Sequence, residues 1–547
     1  MRATLPLVAG RVWPLALISL LGLPLLLSVW AAIAAGMDVT AWRELVTNSA
    51  TWSALALSIW TGVAASCLSV ALAAWTLAHI FPGPRWSRLV GLLGPMLAVP
   101  HVAFGIGLVF LIAPSGWLLR LFSPWATGFE APPLWSTSQD PWGLSLITVL
   151  VAKEVPFLLW AAASHLQRAE VARRLTQELQ VARSMGYAAA TAWWRLVWPQ
   201  LWPRLRWPML AVLAYAMTVV DVALVIGPGS PPTLAVLAWT WLLDADPATN
   251  TQGAAAAWLL ALALAAVAGL SWQVAGLGHW REHRSNGKRG AAHHPRRDAA
   301  STVVLGLLGA LYVAVILALA LGSLSGVWAF PNLLPQSWTL AAWASVWGST
   351  STVVTTLTLG LASGAGALVW SVAWLETAPR RWDQLLRRMV YLPLVLPSVL
   401  WVVGVHATAL RLGLDARWSG LWLAHGLACV PYVLITLSPA YSGFDPRYRA
   451  IAATLGHGRA AFLWQVKWPL LRASLASALA VGFAVSVAQY LPTLFVGAGR
   501  FATVTTEAVT LASGAQRSLT SAYAWLQGLL PLLGFVLAAW AGKPRRF

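Results

Sequence analysis

One segment of this chain is written twice. QVARSMGYAAATAWWRLVWP at residues 180–199 and AIAATLGHGRAAFLWQVKWP at residues 450–469 align without a gap at an offset of 270. They share Ala182/Ala452, Gly186/Gly456, Ala190/Ala460, Trp194/Trp464, Trp198/Trp468 and Pro199/Pro469. A 547-residue chain with such an offset is a tandem duplication, and an internal repeat constrains architecture before any local signal does. The repeat extends further. Ile226-Gly227-Pro228-Gly229 answers Val496-Gly497-Ala498-Gly499 at the same offset, and Pro100 and Gly107 answer Pro397 and Gly404 at an offset of 297.

Each copy lies between apolar runs of about 20 to 28 residues, long enough to cross a hydrocarbon core that needs about 20 helical residues. Hydrophobic residues make up 59% of the chain and charged residues 10%, against about 25% charged in a soluble domain. Runs such as residues 15–35 are apolar on every face, which fits helices and not the alternation of a membrane barrel. The expected fold is an all-α polytopic membrane protein of about twelve transmembrane helices, arranged as two tandem six-helix domains. The spans are expected near 12–36, 52–81, 89–113, 142–165, 207–229, 254–278, 301–328, 348–375, 389–411, 418–440, 473–495 and 520–541. Residues 1–278 form the first domain, residues 279–300 a basic cytoplasmic linker and residues 301–547 the second domain. The N-terminal apolar run passes 20 residues without a clear cleavage site, so it reads as an uncleaved first span.

The net charge of +19 is a topology signal. Of the 36 Lys and Arg, 29 fall in alternate loops on the side that holds both termini and both repeat segments. The positive-inside rule puts that side in the cytoplasm, and no nucleic-acid partner is expected. Cys67 and Cys429 fall inside spans and read as packing residues, not as a disulfide or metal pair. His283, His293 and His294 sit among arginines in the linker and read as part of a solvated tether, so no metal site is expected. The segment 113–141, rich in Trp and Pro, is expected at the outer membrane surface.

Read physically, each repeat segment is an amphipathic helix, a glycine turn and a second helix ended by a proline suited to the first turn of the next span. The glycine-to-proline spacing is 13 residues in both copies. This pattern resembles the EAA loop of ABC-importer permeases, whose Glu-Ala-Ala, Gly and terminal Pro form the helix that docks on a separate ATPase. The matching positions are Gln180, Val181, Ala182, Gly186, Leu196 and Pro199, then Ala450, Ile451, Ala452, Gly456, Val466 and Pro469. The leading glutamate is replaced by Gln180 and Ala450. The resemblance covers essentially the whole chain, in the double-permease branch that includes ferric-iron and thiamine importers. The stretch Lys153-Glu154-Val-Pro156-Phe157 is similar to its thiamine permease subgroup.

The resemblance implies a non-catalytic transport subunit in a bacterial inner membrane. Its partners would be two copies of a cytoplasmic ABC ATPase, a periplasmic solute-binding protein and membrane lipid. The substrate would be thiamine or ferric iron. No phosphate loop is present, since Asn286-Gly287-Lys288-Arg289 lacks the first glycine and the Ser/Thr. No cofactor is therefore expected on this chain, and ATP and Mg would belong to the partner. Lys153, Glu154 and Asp221 lie within spans, where a charge costs about 2.5–3.5 kcal/mol. With Gln489 and Tyr490, and more weakly His101 and His406, they are candidates for a pathway or gate, the alternative being bracing between helices. Proton or sodium sites at Glu154 and Asp221 would instead suit an ion-gradient-driven secondary transporter with twelve helices, which leaves the paired loops unexplained. A non-transporting membrane scaffold accounts for less still.

Overall fold

The computed structural model describes residues 5–282, 295–514 and 516–543; the linker histidines and residues 286–289 lie outside that set. Among the described residues the chain is helical, and its only β contact is an isolated bridge between Ser325 and Trp338. Among the described residues, nine helices are long and apolar enough to cross a membrane, and two bent pairs raise the number to eleven. These eleven segments correspond to eleven of the twelve expected spans. The remaining one, near 207–229, is divided between the helices Trp198–Thr218 and Asp221–Ile226. Only 22% of the most apolar window of Ala300–Ser323 is buried, although its mean hydropathy is 2.7. Apolar surface of that extent on a single helix suits contact with lipid tails.

The chain folds into two compact units, and neither is contiguous in sequence. One comprises residues 38–340 and 515–521, the other residues 1–37, 341–514 and 522–547. The first helix of each repeat thus packs with the body of the other repeat. In the first unit, the helix Pro295–Ser323 crosses His101–Ile112 at Gly107, where a Cβ would stand 2.6 Å from Val315. In the second, Leu5–Ala35 crosses Ser398–Arg411 at Gly404, where a Cβ would run into the Ser28 carbonyl. Gly107 and Gly404 are the glycines that match in sequence at an offset of 297. Small residues let membrane helices approach this closely.

Each unit has the same inner scaffold. The helices Ser49–Ile80, Leu144–Leu166 and Trp198–Thr218 pack together in one, and Thr350–Thr377, Trp418–Ser442 and Arg472–Val487 in the other. Equivalent hydrogen bonds tie the ends of both scaffolds. Leu234 N donates to Ser58 Oγ at 2.8 Å, and Val504 N donates to Thr356 Oγ1 at 2.9 Å. Gln139 N donates to Ile226 O and Ala416 N to Val496 O, both at 3.0 Å. Gln139 and Ala416 are both left-handed, at φ 56° and 53°.

Two spans of each unit are interrupted. The third span of the first repeat stops at Ala98 and restarts at His101 around Pro100, a residue that cannot donate to the helical ladder. The fifth span breaks between Thr218 and Asp221 in one repeat, and between Val487 and Leu491 in the other. Freed backbone groups at such breaks need partners from neighbouring elements.

Candidate functional site

The two repeat segments fold into hairpins with the same backbone. In the first, the helix Ala169–Ser184 ends when Gly186, at φ 86°, turns the chain. Gly186 N donates to Arg183 O and Tyr187 N to Ala182 O, at 3.0 and 3.1 Å. In the second, Arg447–Thr454 ends at Gly456, at φ 79°, with Gly456 N donating to Ala453 O and His457 N to Ala452 O, at 3.1 and 2.9 Å. This paired arrangement is the Schellman motif, which requires a left-handed residue that glycine adopts without steric cost. Ala182 and Ala452 are buried beneath the turn, which fits their small size.

After each turn comes a short helix, Ala189–Ala192 or Arg459–Phe462, that widens into a π-turn at Trp193–Val197 or Leu463–Lys467. The cause is the following Trp-Pro. The rings of Pro199 and Pro469 obstruct the carbonyls four residues earlier, so Trp198 N reaches back to Trp193 O, and Trp468 N to Leu463 O, across five residues. The second hairpin then bends by 76° into the span Arg472–Val487.

The remaining expected positions fall as follows. Gln180 and Ala450 are exposed, Leu196 and Val466 are half-buried, Pro199 is half-buried and Pro469 is exposed. Val181 and Met185 stand 59% and 58% exposed, and their counterparts Ile451 and Leu455 stand 56% and 70% exposed. Four residues apart on a helix, each pair shares one face. Each hairpin therefore presents a small apolar ridge of the same shape.

Their anchors differ. In the first hairpin Glu178 accepts from Gln200 Nε2 at 2.8 Å and faces Arg174 Nε at 3.6 Å. In the second, Glu376 is only 15% exposed. It accepts from Lys467 Nζ and from Tyr441 OH at 2.7 Å, while Arg459 Nη2 bonds its carbonyl at 2.7 Å and its Oε2 at 3.3 Å. Trp468 Nε1 donates to the Tyr441 hydroxyl at 3.1 Å. Glu376 is the only carboxylate on the helix Thr350–Thr377.

The intramembrane candidates separate into two groups. Lys153 is 2% exposed and donates to Met96 O at 2.9 Å and Val99 O at 2.6 Å, the carbonyls left open where the third span breaks. Its ammonium also lies 5.4 Å from the Tyr312 ring. Glu154 pairs with His101 Nε2 at 3.2 Å, and the His101 ring packs on Tyr215 with centroids 4.6 Å apart. Asp221 starts its short helix, accepts from Val222 N at 2.9 Å and lies within electrostatic range of His101. Gln489 and Tyr490 belong to the other unit, at the break in its fifth span, where Gln489 O accepts from Thr493 Oγ1 at 2.9 Å. His406 faces Asp415 at 3.2 Å in that same unit.

No family model matches this sequence. It is 36% identical to the inner membrane ABC transporter permease protein YnjC of Escherichia coli, with 97% of each chain covered. The chain belongs to the ABC transporter permeases. Shorter stretches resemble two further permeases. The thiamine transport system permease protein ThiP of Brucella suis is 31% identical over 134 residues, 22% of this chain and 25% of that one. The molybdenum transport system permease protein ModB of Mycobacterium bovis is 33% identical over 121 residues, 20% of this chain and 46% of that one.

Two residues of this ABC transporter permease carry structure that its sequence did not announce. Glu376 precedes its main partner, Lys467, by 91 residues. His425, fully buried, bridges the broken fifth span: Nδ1 lies 2.8 Å from Ser486 Oγ and Nε2 lies 3.0 Å from Thr493 Oγ1. Since the Thr493 hydroxyl donates to Gln489 O, it accepts from Nε2–H. A lone histidine inside an apolar span was the only available signal for this bridge.

Proposed function

We propose that this chain carries both transmembrane domains of a binding-protein-dependent ABC importer of the bacterial inner membrane. Both termini are cytoplasmic, and the two hairpins dock on two copies of an ABC ATPase. The observation that carries this reading is the pair of apolar ridges, Val181/Met185 and Ile451/Leu455, on hairpins that match down to the π-turn. A twofold partner needs two equivalent surfaces. ATP and Mg are held by the partner, whose closure draws the hairpins together and opens the pathway outward; hydrolysis resets it. A periplasmic binding protein supplies the solute. Of thiamine and ferric iron, thiamine is favoured by the partial likeness to ThiP.

The intramembrane charges serve this reading as braces. Lys153 is engaged by two backbone carbonyls, an arrangement that fixes the broken third span and leaves no exchangeable ion site at the ammonium. The pair Glu154–His101 is the observation that favours a secondary transporter. The two readings part in proteoliposomes loaded with the permease, its ATPase and its binding protein. Uptake of labelled thiamine is expected to require internal ATP and Mg and to be unaffected by a proton or sodium gradient. Gradient-driven uptake by the permease alone would overturn the importer reading. ATP hydrolysis that the binding protein stimulates, without thiamine uptake, would overturn only the solute.

A further inference from the structure

Behind the first hairpin lies a cavity of about 250 Å³, where Leu144–Leu166, Ala169–Ser184 and Trp198–Thr218 meet. Its polar lining is His165, Arg174, Gln200 and Arg204, and its apolar lining includes Leu166 and Leu201. The cations outnumber their partners. Arg204 Nη1 lies 2.7 Å from His165 Nδ1. The same Nη1 also meets His165 Nε2, so the guanidinium packs against the imidazole as a whole. Arg174 shares Glu178 with Gln200, and Arg168 lies within electrostatic range of His165. The lining therefore carries two guanidiniums, Arg174 and Arg204, and no carboxylate.

The setting specifies the anion that such a lining would take. Trp194, Trp198 and Trp202 follow one another along the same stretch, with ring centroids 5.3 and 5.6 Å apart. Trp207 packs on Trp272 at 6.5 Å, and Arg206 lies over Trp272 at 5.1 Å. Such a run of tryptophans marks the headgroup layer. A cavity at that depth, lined by both guanidiniums and apolar side chains, matches a phosphate attached to acyl chains. Arginine is well suited to phosphate through paired, charge-assisted hydrogen bonds.

We propose that this cavity is a binding site for the phosphate group of an anionic phospholipid. The site belongs to the first hairpin alone, because the positions matching Gln200 and Arg204 at the offset of 270 are Leu470 and Ser474. It does not depend on the ATPase reading. An occupied cavity ties the helix Ala169–Ser184 to the two spans behind it, the service that Glu376 performs for the second hairpin.

The test uses the full-length chain in nanodiscs of phosphatidylglycerol or phosphatidylcholine, with retained lipid counted by native mass spectrometry and thermal unfolding followed in parallel. Phosphatidylglycerol should be retained and should raise the unfolding temperature. Arg204→Gln combined with Arg174→Gln should reduce its retention about tenfold, the scale of losing charge-assisted phosphate contacts. Arg204→Lys, which keeps the charge, should retain most of it, and Arg88→Gln, an exposed arginine outside the cavity, should match the wild type. Unaltered retention in the double variant would overturn the site. Equal protection by inorganic phosphate in phosphatidylcholine discs would overturn the lipid as the source. A double variant that fails to purify leaves the decision to Arg204→Gln alone, read against Arg204→Lys in the same discs. Equal retention by those two overturns the site, and loss in the glutamine variant only supports it.

Discussion

In the first hairpin Glu178 is held at the surface by Arg174 and Gln200, whereas in the second Glu376 is enclosed by Lys467, Arg459 and Tyr441. Around these unlike anchors the backbones agree: the same Schellman turn, the same five-residue π-turn and the same exposed ridge. The unlike anchors extend into the bodies behind them. Lys153 closes a broken third span in one unit, and His425 bridges a broken fifth span in the other. Duplication has kept the shape that a partner would meet and has let each copy brace that shape in its own way.

The largest effect that can break this comparison is at Lys153. Lys153→Met strands two buried carbonyls, at a cost of about 1–3 kcal/mol for each. A marked fall in thermal unfolding temperature should follow in detergent. If stability is unchanged, the ammonium is not a brace and belongs with the pathway.

Gly186→Val and Gly456→Val force a β-branched residue into left-handed backbone, costing about 1–3 kcal/mol at each site. The doubly substituted chain should lose ATP-driven uptake by more than about tenfold while still inserting in the membrane. Equal losses in the two single variants would sharpen the equivalence of the hairpins, and a loss confined to one would break it.

The anchors should separate next. Glu376→Gln removes a carboxylate that is 15% exposed and should cost about 1–3 kcal/mol, less than the figure for a fully buried pair. Glu178→Gln, where Glu178 and Arg174 are 35% and 58% exposed, should cost under about 1 kcal/mol. Paired thermal unfolding curves check this, and a reversed order would contradict the two modes of bracing.

A comparably modest effect is expected just before the helix Leu144–Leu166. Burial raises the Asp140 carboxyl, but hydrogen bonds from Ser145 N, Leu144 N and the Ser145 hydroxyl outweigh it and hold the group below its ordinary value. A lowered carboxylate contributes stability that is complete above the unfolded value of about 3.9 and is lost as pH falls through the folded value. Asp140→Asn should therefore cost roughly 1–2 kcal/mol at neutral pH, with the difference from wild type closing only below about pH 4. A pH series of unfolding temperatures would read it.

The hairpins were legible in the sequence because their determinants are local. Gly186, Gly456, Pro199 and Pro469 act within five residues of themselves, and the apolar runs declare the spans. The matched glycines Gly107 and Gly404 were visible as a pattern, but their cause was not: each faces the first helix of the other repeat, Val315 in one unit and Ser28 in the other. The partners of Lys153 are backbone carbonyls 54 and 57 residues away, and no side-chain pattern encodes such acceptors. His425 and Glu376 were opaque for the same reason, since their partners lie 61 to 91 residues distant.

The most direct test of the central claim is photocrosslinking in intact membranes with a benzoylphenylalanine residue at Val181 or at Ile451, in cells making the ABC ATPase. Docking by both hairpins predicts capture of the ATPase from either position, in similar yield, and none from an equivalent probe at Leu134, in the loop that follows the helix Trp117–Phe122. Capture from neither hairpin, or from one alone, would contradict the claim that the duplicated ridges form a matched pair of docking surfaces.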